Sequence, residues 1–281
     1  MHHRGVRRAT TGRGPGAGAV AALAAGAALA AQYVPSTVAL GQWADLRVLP
    51  GDLCRWRGDG GGVALTFDDG PSSVATPAFL DRLDRLGLVG TFFVLGSLVQ
   101  RDPDLVAEIR RRGHQVETHG HHHRHHLARS PRWVHRDLHA AADAMAAVGV
   151  RPRWYRPTYG QATAATLLAA RRRGWRPLLW SAWGREWATT DPAAVAATVR
   201  RRLGPGAVVL LHDNDAFGPA GMWKVALDAL DRVADDLHRR GLTAVTMDQL
   251  VPVPGTGDQL VPVSGTGQLV PVPGTGDRPV P

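Results

Sequence analysis

The sequence predicts an α/β fold built on a parallel sheet or barrel over about residues 60–248. Two observations carry that prediction. Short β-type runs alternate strictly with longer segments of helical period, and the runs are apolar throughout rather than at every second residue. Strands of that kind are covered on both faces, as in a parallel sheet flanked by helices. With 44% apolar residues in 281, the chain can also bury a sizeable core, which excludes wholesale disorder.

The elements follow in order. Residues 63–67 form a strand that ends in Asp68-Asp69-Gly70-Pro71. Leu80, Leu83 and Leu86 share one face of a helix over 76–86. A strand at 91–94 precedes a helix at 103–112, which Gly113 stops. A short strand at 114–117 is followed by a helix at 131–148. The strand at 153–155 leads to a helix at 162–173, closed by Gly174. Leu178-Leu179-Trp180 reads as the next strand, with a helix at 192–203. The very apolar run 207–211 is a strand ending in His212-Asp213, and a helix at 221–240 and a strand at 243–246 close the series.

The flanks differ from this middle. Arg4, Arg7, Arg8 and Arg13 precede an uncharged, alanine-rich stretch at 17–31 that contains Ala28-Leu29-Ala30. That is the outline of a signal peptide, with a weak twin-arginine element, or of an N-terminal membrane anchor, although the stretch is short for a spanning helix. The expectation is a secreted or cell-envelope protein. Residues 32–59 are an extension. From Gln249 the motif Gln-Leu-Val-Pro-Val recurs at Gln259 and Gln268, each time followed by Gly-Thr-Gly one residue on. Its prolines and glycines oppose a packed helix or a sheet ladder, so 249–281 is expected to be a disordered, linker-like tail.

Charge and cysteine restrict the function classes. The formal charge is +9, but Lys224 is the single lysine among 33 basic residues. We read the arginine excess as a composition bias. No nucleic-acid-binding motif or clustered basic-aromatic patch accompanies it, so nucleic acid is not an expected partner. Cys54 stands alone, which excludes an internal disulfide and a zinc site of several thiolates.

The polar residues that attract attention fall just after predicted strands, where parallel α/β folds place their chemistry. Six of 13 histidines lie between His119 and His126. Three pairs have the His-x-x-x-His spacing that can turn two imidazoles toward one metal: His119 with His123, His121 with His125, and His122 with His126. The first begins directly after a strand. Tandem Asp68-Asp69 would repel unless one were neutralised, as a divalent metal would do, and the other could then accept a proton from water. Trp154, Trp175 and Trp180 read as core. Trp183 and Trp187 are in a loop, where sugar stacking and packing are both open. Trp223 reads as packing.

Five ordered motifs over residues 60–248 resemble the polysaccharide deacetylase family, also called NodB-like or carbohydrate esterase family four. They are Thr66-Phe67-Asp68-Asp69-Gly70-Pro71, His119-Gly120-His121-His122-His123, Arg156-Pro157-Thr158-Tyr159-Gly160, the segment from Trp180 to Trp187, and Leu211-His212-Asp213. Three positions depart from the family: Gly120 where Ser or Thr is usual, Thr158 where a second proline is usual, and Glu186 where aspartate is usual. The resemblance implies a distorted, incompletely closed (β/α)7 barrel that removes N-acetyl groups from an acetylated polysaccharide or oligosaccharide containing N-acetylglucosamine, whether a chitooligosaccharide, peptidoglycan or a surface polysaccharide, by way of metal-activated water. It further implies that Asp69, His119 and His123 hold a divalent metal, commonly zinc and sometimes cobalt or nickel. Asp68 would be the general base and His212 the general acid. Arg156 would pair with Asp68, Glu186 would hold Arg156, and the backbone N–H of Tyr159 would help stabilise the oxyanion. Trp187 and Leu211 would line the acetyl pocket, with Trp183 a further substrate contact. The same scaffold could serve an O-acetyl esterase, a deformylase or a small-amide hydrolase. A non-catalytic glycan- or metal-binding protein would not require Asp68 and His212.

Overall fold

The computed structural model describes residues 61–251, the segments 260–262 and 269–271, and four helical residues at 21, 24, 26 and 27. The leader and the 32–59 extension otherwise lie outside the described residues. In chain order the elements are β1 (Gly62–Asp68), α1 (Ala75–Leu86), β2 (Thr91–Val94), α2 (Gly96–Val99), α3 (Pro103–Arg111), β3 (Gln115–Thr118) and α4 (Pro131–Ala147). There follow β4 (Trp154–Tyr155), α5 (Ala164–Arg171), β5 (Arg176–Pro177), β6 (Ala182–Trp183), α6 (Pro192–Arg200), β7 (Val208–His212), α7 (Met222–Arg239), β8 (Thr243–Val245) and α8 (Met247–Leu250). Three helices start by one device, an acceptor side chain at the N-cap followed by proline. Asp102 accepts from Leu105 N–H, Ser130 from Trp133 N–H, and Asp191 from Ala193 N–H.

The strands are parallel, in the order β5-β4-β3-β2-β1-β7-β6, with β8 beside the start of β1. The sheet curls into the expected distorted, incompletely closed (β/α)7 barrel. β1 lies at its centre, pairing with β7 from Ala64↔Val208 to Asp68↔His212. Alternation along β1 sorts the side chains. Val63, Leu65 and Phe67 join the core between sheet and helices, while Ala64 joins a second cluster inside the barrel with Phe93, Trp154, Val208 and Met247. Thr66 and Asp68 share the inward face with Ala64, which delivers Asp68 to the barrel interior.

Two expectations are corrected here. Leu178-Leu179-Trp180 is not a strand. β5 ends before it on one edge of the sheet, and β6 begins after it on the other. Leu178 N–H donates to Tyr155 O and Ser181 N–H to Val208 O, so this segment carries the chain across the opening of the barrel. The domain also runs past residue 248, because α8 and Val251 are buried against the inner cluster. Farther on, β9 (Leu260–Pro262) and β10 (Leu269–Pro271) pair antiparallel, contrary to the expected absence of a ladder in the tail.

 In that ladder Leu269 stands opposite Pro262, and Pro271 opposite Leu260. A two-stranded ladder has only edge strands, where a residue without an N–H is tolerated. Among the described residues no helix is long and apolar enough to cross a membrane.

Candidate active site

At the end of β1 the chain turns at Asp69, whose φ of 77° lies in the left-handed region. Asn214 Nδ2 donates to the Asp69 carbonyl oxygen at 2.9 Å and holds that turn. Gly70 leaves room for the next wall, since a Cβ there would lie 2.6 Å from Asp213 Oδ2.

The predicted metal ligands come together. Asp69 Oδ1 lies 3.4 Å from His119 Nε2 and 3.1 Å from His123 Nε2. One ligand atom from each residue falls within 4.8 Å of the others. His119 Nδ1–H donates to the Arg156 carbonyl oxygen at 2.7 Å, which leaves its Nε2 lone pair facing Asp69. Asp69 Oδ1 is buried without a hydrogen-bond donor. Burial opposes ionisation of Asp69, but His119, His123 and the charge on His212 outweigh it and hold the carboxyl well below its usual range. Burial also keeps the His123 imidazole below its usual value, so its nitrogen remains a lone-pair donor. One orphaned carboxylate oxygen and two convergent imidazoles fit a divalent cation, with positions left for water and substrate.

Asp68 has different company. Its Oδ1 accepts from Arg156 Nη1 at 2.7 Å, as expected. Arg156 is 0% exposed, and its guanidinium also donates to Thr66 Oγ1 and to Leu179 O and lies over the Phe93 ring. The expected contact of Glu186 with Arg156 is absent. Glu186 follows β6, which neighbours β7, and its Oε1 meets His212 Nδ1 at 2.8 Å. Burial alone would lower the His212 pKa, but Glu186, and then Asp69 and Asp68, raise it to about 9. These carboxylates favour the protonated, imidazolium form of His212.

Asp68, Asp69, His119, His123 and His212 line a pocket of about 450 Å³. Trp180, Trp183 and Trp187 form one wall in successive ring contacts that end on His212. Trp183 and Trp187 therefore face the pocket, and so does Trp180, which packs against the inner cluster, as expected of a core residue, and lines the pocket as well. Leu211 is also corrected: it is 0% exposed and packs toward the helices, while its neighbour Leu210 lines the pocket with His212. Tyr159 has a φ of 58°, lines the pocket, and stacks on His125 with ring centroids 3.5 Å apart. Trp154 and Trp175 are buried, and Trp223 packs against the outer core, as expected.

Sequence reasoning missed Phe217 and Met222, which also line the pocket. Phe217 is 41% exposed and stacks on His123. Its signal was available: an aromatic in a polar loop directly after the strand that carries His212.

A parallel barrel mouth that joins a metal-type Asp-His-His set to a buried carboxylate and a charged imidazole defines a hydrolase. The polysaccharide deacetylase family matches residues 57–178. The chain is 33% identical over 199 residues to a chitooligosaccharide deacetylase of Bradyrhizobium sp. (strain ANU 289), an alignment covering 67% of this chain and 90% of that protein. It is 34% identical over 189 residues to a peptidoglycan-N-acetylglucosamine deacetylase of Listeria monocytogenes, covering 67% of this chain but 38% of that longer protein. A family 4 carbohydrate esterase from Streptomyces lividans, solved with acetate, superposes with a TM-score of 0.59 at 29% identity, over 68% of this chain and 93% of that one. The chain belongs to the polysaccharide deacetylase family.

Proposed function

We propose that this chain is a metal-dependent N-deacetylase of a glycan containing N-acetylglucosamine, either a chitooligosaccharide or peptidoglycan. The observation that carries the reading is the convergence of Asp69, His119 and His123 between Asp68 on one side and His212 on the other. A divalent ion held there, zinc first and cobalt or nickel next, supplies positive charge that polarises the acetyl carbonyl and eases deprotonation of water.

The chain's own residues do the rest. Asp68 accepts the proton of the attacking water, and Arg156 aims its carboxylate. The Tyr159 N–H donates to the oxyanion, a contribution typically worth ~3 kcal/mol. His212 protonates the departing amine nitrogen, and Glu186 stabilises the charge it carries beforehand. The tryptophan wall offers apolar faces to the acetyl group and the sugar. Work on a wall or extracellular glycan also agrees with the secreted or cell-envelope location, and with the leader or anchor, proposed for residues 1–31.

Acetate release from N-acetylated chitooligosaccharides and peptidoglycan tests the reading, before and after chelation and zinc reloading. Release that disappears with chelator and returns with zinc is expected. Zinc-loaded protein that releases no acetate from either glycan overturns it, and release from O-acetylated xylan alone would make it an esterase instead.

A further inference from the structure

The two imidazoles assigned to the metal are separated by Gly120, His121 and His122, and the backbone of this short loop is anchored from both sides. Its carbonyls meet the start of α2. Gly96 N–H donates to Gly120 O at 2.9 Å, and Ser97 N–H to His121 O at 3.1 Å. Its amides meet one side chain of α4. His121 N–H donates to Asp137 Oδ2 and His122 N–H to Asp137 Oδ1, each at 3.1 Å, and His122 Nδ1–H adds a bond to Oδ1 at 2.9 Å.

Asp137 is only 4% exposed. Among the described residues, no arginine or lysine pairs with it. Besides His122, the nearest basic group is His126, whose Nε2 lies 3.9 Å away. A buried carboxylate without a strong cation depends on donors of this kind. Gly120 makes the arrangement possible. Its φ of +94° turns the next two amides toward one acceptor, and a Cβ there would lie 3.3 Å from Asp137 Oδ2.

We infer that Asp137 is a positioning residue for the metal site, holding His119 and His123 in register through the amides of the loop that joins them. It supplies from another element the support that a hydroxyl side chain at position 120 would give from within the loop. This inference rests on the metal reading of Asp69, His119 and His123.

The test is metal affinity, measured on apo protein by zinc competition with a chromogenic chelator and by the cobalt absorption spectrum. Asp137→Ala should bind zinc 10–100-fold more weakly, the range typical when support behind a ligand is removed. Its cobalt spectrum should change while the melting of the apo protein shows a folded chain. Asp137→Asn provides a milder variant. Its amide can accept from only one of the two N–H groups and sets its own NH2 against the other, so weaker zinc binding is again expected. Wild-type zinc affinity and an unchanged cobalt spectrum in either folded variant would overturn the inference. His119→Ala is the control that removes a ligand outright. If the wild-type chain binds zinc no better than His119→Ala, the metal reading fails first and this inference fails with it.

Discussion

Asp68 and Asp69 are neighbours in sequence with opposite surroundings. One carboxylate is aimed by a buried guanidinium, and the other faces two imidazoles with an oxygen left without a donor. Replacing Asp68 by Asn should lower kcat by about 10²–10⁴-fold, the usual worth of a general base, while zinc titration shows the metal retained. Full activity in that variant would remove Asp68 from its role. Glu186 holds the charge on His212, so Glu186→Gln should bring the His212 pKa down from about 9. The acid is active while protonated. On the alkaline side, activity in the wild type is therefore lost as pH rises through that raised value, and in the variant this limb of kcat/KM should move to lower pH. An unmoved limb would show that another group sets it. The residue types of this chemistry were legible at the strand ends. The partner of Glu186 was not, because that contact depends on β6 lying beside β7, and no local pattern in the sequence records which strands are neighbours.

At the scale of elements, legibility followed length and period. The long helices and their glycine stops were readable, whereas β5 and β6 have two residues each and no period to detect. Leu178-Leu179-Trp180 has the composition of a strand, but Leu178 N–H donates to β4, Leu179 O accepts from the arginine inside the barrel, and the next residue, Ser181, already bonds to β7. The error at Leu211 was one of phase. A motif that ends in Leu-His does not say which of the two faces inward, and alternation along β7 assigns the pocket to Leu210 and His212. These two leucines should therefore behave differently. Leu211→Ala should cost roughly 2–5 kcal/mol in urea unfolding, as for other buried leucines, with kcat/KM of the folded fraction little changed. Leu210→Ala should chiefly raise KM. The reverse pattern would invert the assigned faces of the strand.

For the whole molecule, metal binding at the mouth should add to folding stability, because the three residues proposed to hold the ion come from two separate strand ends. With metal at 100 times its Kd, the linkage is worth about 2.7 kcal/mol. Chelation should thus lower Tm, and zinc should restore it. A Tm indifferent to chelator would mean that the ion does not bind the folded state preferentially. Charge was a poor guide at this scale. Of the +9, the first 16 residues hold +4, and the chemistry depends instead on a few buried groups of both signs.

The central place of β1 also bears on the order in which the enzyme is made. Thr66 meets Thr91, which follows closely in the chain, but Ala64 waits for Val208 and Gly62 for Thr243. During synthesis the strand that carries both aspartates emerges early and spends most of translation with one flank unpaired. Its last neighbour arrives only when nearly the whole domain has left the ribosome. Distant pairing of this kind slows folding, and it means that a nascent chain holds both carboxylates long before it holds an active site.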